Sequence, residues 1–191
     1  MYRFLVPLGI GFACNWASAF TFLFCMQLGE RRGRRAGFIL RNVLGIPLWV
    51  VGLLMAFKQP AAPLFTPGWA LTALSWLLLL LGTVSMLLGI GRLGMRAYRP
   101  TTHDTLVSDG VFRHIRHPIY SGLLVDFAAL ALQRPNRPVL LACALGALYA
   151  NVQARLEEID LRRRVPGYDE YMKTVPRFLP RPGRQKRSMN D

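Results

Sequence analysis

The apolar positions of this chain come in long uncharged runs. Phe4 to Gly29 carries no charge, and neither do Asn42 to Phe57 and Gln59 to Gly91. An α-helix rises about 1.5 Å per residue, so crossing a hydrocarbon layer of roughly 30 Å takes about 20 apolar residues. The first and third runs reach that length unaided. The second reaches it when Arg41 and Lys58 extend from its ends to the interfaces. The runs predict membrane helices over 4–28, 38–57 and 67–90. Thr66 as cap and Pro67 in the first turn mark the start of the third. Arg92, Arg96 and Arg99 continue it along one face until Pro100 stops it.

The pattern changes after residue 100. A polar connector over 100–117 has turn signals at Thr101-Thr102 and Asp109-Gly110. Two shorter apolar stretches follow, Ile119 to Gln133 and Pro138 to Val152, separated by Arg134, Pro135, Asn136 and Arg137. They predict a hairpin of a fourth and a fifth helix. The fifth continues as a polar helix over about 151–165, until Pro166-Gly167 ends it. A short helix at 168–174 and a basic tail complete the chain. The expected fold is an all-α integral membrane protein with about five transmembrane helices. Four, or a re-entrant pair, is the alternative. The organisation reads as helices one to three over 1–99, a core over 100–180 and a basic tail over 181–191.

The chain has 191 residues, 52% of them hydrophobic, enough for one domain. The first run is too long for a signal peptide and holds Asn15 and Ser18. Arginines follow it where a cleavage site would need small residues, so a retained helix is expected. A net charge of +14 invites a nucleic-acid partner, but its distribution argues against one. Arg31, Arg32, Arg34, Arg35 and Arg41 lie between the first two runs, only Lys58 lies between the second and third, and basic residues return from Arg92. This positive-inside alternation puts the 30–41 loop, the 92–117 segment and the tail in the cytoplasm, with the N-terminus and the 58–68 loop opposite. Anionic lipid is then the natural partner of the arginines. Cys14, Cys25 and Cys143 form no C-x-x-C, and His103, His114 and His117 lack ligand spacing, so neither a disulfide framework nor a metal site is expected.

The candidate chemistry is confined to the second half. In His117-Pro-Ile-Tyr-Ser-Gly122 the residue before Pro118 avoids helical geometry and the proline starts a helix. That helix mouth offers free N–H groups to an anion. Gly122 permits close approach of a ligand or a backbone, and Tyr120 adds a ring and a hydroxyl. Read alone, the segment is equally a simple helix start. Glu157 and Glu158 point about 100° apart on the polar extension, so one faces a pocket and the other a neighbour. Glu158 reaches Arg162 at i+4 and Arg155 at i−3. The bland alternative is a solvated salt-bridged helix. The hairpin brings both segments to one membrane face, a fit for a zwitterionic, nucleoside-bearing cofactor. Asp126, a charge inside the fourth helix, reads either as part of a substrate pocket or as a hydrogen-bonded structural acid.

Thr105–Gly122, then Glu157-Glu-Ile-Asp-Leu161, then Tyr168-Asp-Glu-Tyr171 and the run from Val175 to Pro180 together resemble the isoprenylcysteine carboxyl methyltransferases. These belong with the phospholipid methyltransferases among integral membrane methyltransferases. The resemblance covers about 100–180. It implies S-adenosyl-L-methionine bound at the cytosolic face and a lipophilic or lipid substrate entering from the bilayer. By the same resemblance Leu106, Val107, His117, Pro118, Ile119 and Tyr120, with Gly122, would line the cofactor. Glu157 or Glu158 would bind its polar end, and Tyr168, Tyr171 and Arg177 would hold the tail across it. The acceptor side is expected at Gln153, Arg155 and Asp126. Members often carry an Arg, the natural partner of a substrate carboxylate, where this chain has Gln153. They often have Tyr at Phe112 and an FG pair in place of Val165-Pro166-Gly167.

Methyl transfer from a sulfonium disperses charge, which a dry pocket favours, and needs mainly alignment. A carboxylate or thiolate acceptor needs no base; an amine would draw on His117, Asp126 or a Glu. Two alternatives remain open at this point: a membrane double-bond reductase using NADPH, and a non-catalytic membrane module of the same fold.

Overall fold

The computed structural model describes residues 2–94 and 105–181. The expectations for Arg96, Arg99, Pro100, Thr101, Thr102, His103 and the tail from 182 onward lie outside the described residues. Apart from one bridge between Pro63 and Asn136, the regular structure among the described residues is helical.

The first apolar run is two helices, not one. Helix α1 spans Leu5–Ser18 and α2 spans Thr21–Leu28, bent by 63° from it. Ser18 Oγ donates to the Asn15 carbonyl at 2.6 Å and Thr21 Oγ1 to the Ser18 carbonyl at 2.7 Å, while Phe20 leaves helical geometry. Hydroxyls that take backbone carbonyls in this way bend or end a helix.

The expected basic loop is also helical. Helix α3 covers Glu30–Phe38, passes through a π-helical turn at Ile39–Gly45 and continues as α4, Ile46–Lys58. Arg and Ala are strong helix formers, so the arginine cluster propagates the helix rather than interrupting it. Pro47 lacks the N–H for the ladder, and the turn before it widens. Helix α5 runs Trp69–Leu93. It starts from Gly68 with no side-chain cap, two residues later than Thr66-Pro67 predicts.

The hairpin follows its sequence signals closely. Helix α6 is Pro118–Gln133 and α7 is Arg137–Arg164. Asn136 caps α7 by accepting from the Val139 amide at 3.0 Å. At about 1.5 Å per residue, α7 is longer than a hydrocarbon layer, so its polar last third projects beyond the apolar part. It ends at Arg164. Gly167, at φ +79°, turns the chain into α8, Tyr168–Thr174.

Helices α5 and α6 pack against each other most closely where two glycines meet. A Cβ on Gly122 would fall on the Gly82 carbonyl and within 2.6 Å of Met86 Cγ. Gly122 therefore serves helix contact, in the manner of small residues between membrane helices. The core lies between α1, α4, α6 and α7, where the Phe12 and Tyr149 rings stack at 4.4 Å. Outward faces of α4 and α5 carry exposed Val51, Leu54, Leu77, Leu80, Leu87 and Leu88. That inverted pattern suits a lipid environment. Among the described residues, three helices are long and apolar enough to cross a membrane: Glu30–Lys58, Trp69–Leu93 and Arg137–Arg164. The bent α1–α2 pair makes a fourth candidate.

The α4–α5 and α6–α7 connections lie at the same end, where the Leu64 amide bonds the Pro135 carbonyl at 2.7 Å. The start of α6 and the polar end of α7 meet at the other end.

Candidate active site

Helix α6 opens at His117-Pro118, and a short 3₁₀ turn at Gly110–Arg113 leads into it. The chain after α8 returns to this opening. The Arg116 amide bonds the Pro176 carbonyl at 2.9 Å and the His117 amide bonds the Arg177 carbonyl at 3.1 Å. Ser121 Oγ donates to the Phe178 carbonyl at 2.8 Å. Tyr171 ties α8 to the 3₁₀ turn through its hydroxyl, which donates to the Phe112 carbonyl at 2.6 Å.

The two adjacent glutamates of α7 divide their roles. Glu158 is 3% exposed and joins the segments. Its Oε1 accepts from Arg116 Nε at 3.1 Å and Nη2 at 2.9 Å, from His117 Nε2 at 3.2 Å and from Arg177 Nε at 2.9 Å. Its Oε2 accepts from Arg177 Nη2 at 2.5 Å. The carboxylate beside Arg177 holds that guanidinium's pKa above its ordinary value. Arg116 also donates to the Met172 and Val175 carbonyls. The i±3 and i±4 partners expected for Glu158 are not used: Arg162 pairs with Asp169 at 2.6 Å, and Arg155 is exposed.

Glu157 points the other way, into a cavity. It accepts from the Tyr120 hydroxyl at 2.5 Å and from Gln153 Nε2 at 3.2 Å. Of the residues singled out from sequence, the cavity brings together Leu106, Val107, His117, Pro118, Ile119, Tyr120, Gln153, Glu157, Tyr168 and Tyr171. It does not include Gly122, Asp126, Arg155, Glu158 or Arg177. Asp126 lies at the α5–α6 contact, against Gly82. Glu158 and Arg177 hold the cavity's wall together from behind. Burial pushes the Tyr168 and Tyr171 phenols well above their ordinary pKa, so both stay neutral.

Two polar features at or near the cavity lack partners among the described residues. Gln153 is 2% exposed, and its Oε1 accepts no hydrogen bond. The Ile119 and Tyr120 amides, in the first turn of α6, find no acceptor among the described residues. Both are places where a polar ligand would be held.

The cavity also includes residues that sequence reading assigned elsewhere. Ser18, Thr21 and Phe22, from the break between α1 and α2, reach it, as does Arg41 from the π turn. Arg41 reads from sequence as a topology signal. What sets it apart is its position six residues beyond Arg35, about 9 Å farther along a helix and inside the apolar stretch.

The family described as phospholipid methyltransferase matches this chain over residues 69–164. The chain belongs to that family. The match covers α5, the connector, α6 and α7 and stops short of α8, whereas the motifs quoted from sequence begin near 100 and run on to 180. The family is one of membrane methyltransferases, in keeping with the candidate spans and with the helix pair that frames the cavity. A curated relative, the cobalt-zinc-cadmium resistance protein CzcN of Cupriavidus metallidurans, is 32% identical over 149 residues. That alignment covers 75% of this chain and 66% of the relative. No solved structure matches the chain.

Proposed function

We propose that this protein is a methyltransferase that uses S-adenosyl-L-methionine at the cytosolic face of a membrane to methylate a lipophilic acceptor. The observation that carries the reading is the Tyr120–Glu157 hydrogen bond, which joins the mouth of α6 to the polar extension of α7 across the cavity.

The residues present fit the cofactor. The free Ile119 and Tyr120 amides suit its carboxylate, with the helix dipole behind them. Glu157 and the unpartnered Gln153 Oε1 suit its ammonium. Leu106, Val107, Tyr168 and Tyr171 offer an apolar and aromatic wall for the adenosine. Bound there, the cofactor would supply a sulfonium methyl group. The chain's own part is to align the acceptor and exclude water, which favours a reaction that disperses or cancels charge. The tail from Val175 to Phe178, pinned to the mouth of α6 through Arg116, His117 and Ser121, backs the wall from outside the cavity.

The reading includes five membrane segments, with the bent α1–α2 pair and the short α6 completing the three long helices. A cytosolic site follows from the positive-inside rule. The arginines of α3 and those at the end of α7 then lie on the side of the α6 mouth, away from Lys58.

The test is calorimetric titration of the detergent-solubilised full chain with S-adenosyl-L-methionine and, separately, with NADPH. Binding of the first alone is expected. Binding of NADPH alone would replace the reading with a reductase, and binding of neither would remove it.

A further inference from the structure

The end of the molecule away from the cavity mouth is basic, with no acid to balance it. The chain there, over 1–5, 56–69 and 131–139, contains Arg3, Lys58, Arg134 and Arg137 and neither Asp nor Glu. These cations lie at the opposite end from the arginines of α3, so the positive-inside pattern does not account for them. Packing accounts for Arg134, whose guanidinium carbon lies 5.3 Å from the centre of the Phe57 ring. Arg137 is exposed in the first turn of α7, where the helix dipole adds to the positive potential. Arg3 and Lys58 are also exposed, and their side chains make no hydrogen bond or ion pair among the described residues.

Helices α1 and α4 bring Arg3 and Lys58 to one place. The helices run antiparallel in close contact. A Cβ on Gly45 would fall 2.7 Å from Asn15 Cγ, and one on Gly52 would fall 2.7 Å from the Leu8 amide nitrogen. Farther along the same contact, Arg3, just before α1, and Lys58, the last residue of α4, line one groove. The groove also takes in buried Phe4 and an apolar strip of Val51, Leu54 and Met55, all exposed on α4. From Val51 to Lys58 is about 10 Å of helix. A strip of this kind with two unpaired cations at its head matches an amphiphile with an anionic head. A guanidinium fork and an ammonium hold a phosphate, and an acyl chain covers the strip. A free phosphate would leave the strip uncovered. A second copy of this chain would set the same cations beside one another. A zwitterionic lipid would bring a head-group cation to an end that has no carboxylate to receive it.

We infer that the α1–α4 groove binds an anionic phospholipid in the leaflet away from the cavity, with its phosphate between Arg3 and Lys58 and an acyl chain along Val51, Leu54 and Met55. This lipid is not a methyl acceptor, because the groove and the cavity share no lining residue. It joins the start of α1 to the end of α4. The other ends of these helices lead to Ser18 and Arg41 at the cavity.

The experiment uses the purified full chain in a neutral detergent and the variant Arg3→Gln/Lys58→Gln. Arg31→Gln/Arg35→Gln is the control on the exposed arginines of α3. Phosphatidylglycerol, phosphatidylcholine or inorganic phosphate is titrated in. Native mass spectrometry reads bound lipid, and thermal unfolding is followed alongside. The wild type is expected to bind phosphatidylglycerol about tenfold or more tightly than phosphatidylcholine and to gain thermal stability from it. Arg3→Gln/Lys58→Gln should lose both the preference and the gain, and Arg31→Gln/Arg35→Gln should keep both. Without lipid all three proteins should unfold at the same midpoint. Equal binding of the two lipids by the wild type overturns the inference, as does equal stabilisation by inorganic phosphate. So does an undiminished preference in Arg3→Gln/Lys58→Gln, or an equal loss in the α3 variant, which would reduce the effect to net charge. A midpoint already lowered in lipid-free Arg3→Gln/Lys58→Gln overturns it too, since the two cations would then hold the protein itself.

Discussion

Glu158 and Arg177 form a two-point ion pair, Nε to Oε1 at 2.9 Å and Nη2 to Oε2 at 2.5 Å, that fastens the chain after α8 to the end of α7. The same carboxylate also holds Arg116 and His117 at the mouth of α6. Three segments distant in sequence thus converge on one buried side chain, and the cavity wall depends on it. Replacing Glu158 by Ala leaves Arg116, 8% exposed in its side chain, without its charge partner. Breaking a buried pair from one side costs about 3–5 kcal/mol. The expected outcome is a lower midpoint of thermal unfolding in detergent, with protease cleavage between 165 and 181 before the rest of the chain. A Glu158→Ala protein as stable and as resistant as the wild type would remove this carboxylate from its joining role.

Tyr120→Phe isolates the contact across the cavity. The ring remains and only the hydroxyl that donates to Glu157 is lost. Hydrogen bonds to charged groups contribute about 1.5–3 kcal/mol, so cofactor affinity should fall roughly tenfold or more while unfolding changes little. Calorimetry reads the first and thermal unfolding the second. Equal affinity in the variant would mean that the Tyr120–Glu157 bond lies off the binding path.

The hairpin and the meeting of its two polar ends were legible in the sequence because local chemistry determines them. Pro118 and the capping Asn136 start α6 and α7, and adjacent glutamates on a helix must face different ways. The division between them was not legible. Arg116 and Arg177, far from α7 in sequence, decide that Glu158 faces inward and holds the wall, which leaves Glu157 for the cavity. The break after Ser18 was hidden for a related reason. Asn15, Ser18 and Thr21 look like minor polar interruptions of an apolar run until their side-chain bonds to the backbone are seen. Arg41 was read as one more arginine of a cytosolic loop, because charge counting does not show that the loop is a helix whose next turn brings Arg41 to the cavity.

Asp126 separates the two possible meanings of a charge in a membrane helix. It packs against Gly82, where α5 and α6 touch, and the cavity does not include it. Asp126→Asn keeps the shape and removes an acid that is costly in this setting. S-adenosyl-L-methionine affinity should remain within about twofold of the wild type, with stability unchanged or raised. A large loss of affinity on calorimetric titration would restore Asp126 to the site.

Gly122 tests the contact that positions the start of α6. A side chain there would meet the Gly82 carbonyl and Met86. Neither is free to move far, since Gly82 is buried helix backbone and Met86 packs against the core. Overpacking of this kind costs about 1–3 kcal/mol. Gly122→Val should push α5 and α6 apart and lower the unfolding midpoint. Because α6 also carries Tyr120 and the Ile119 amide, cofactor affinity should fall in the same variant. Gly68, with nothing within 4 Å of its added Cβ and an N-cap position outside the helix contact, is the control: Gly68→Ala should leave both measurements near wild type. If Gly122→Val behaves like Gly68→Ala, the two helices are not held as closely as the glycine contact requires. The mouth of α6 would then owe its position to the tail bonds from Pro176, Arg177 and Phe178 alone.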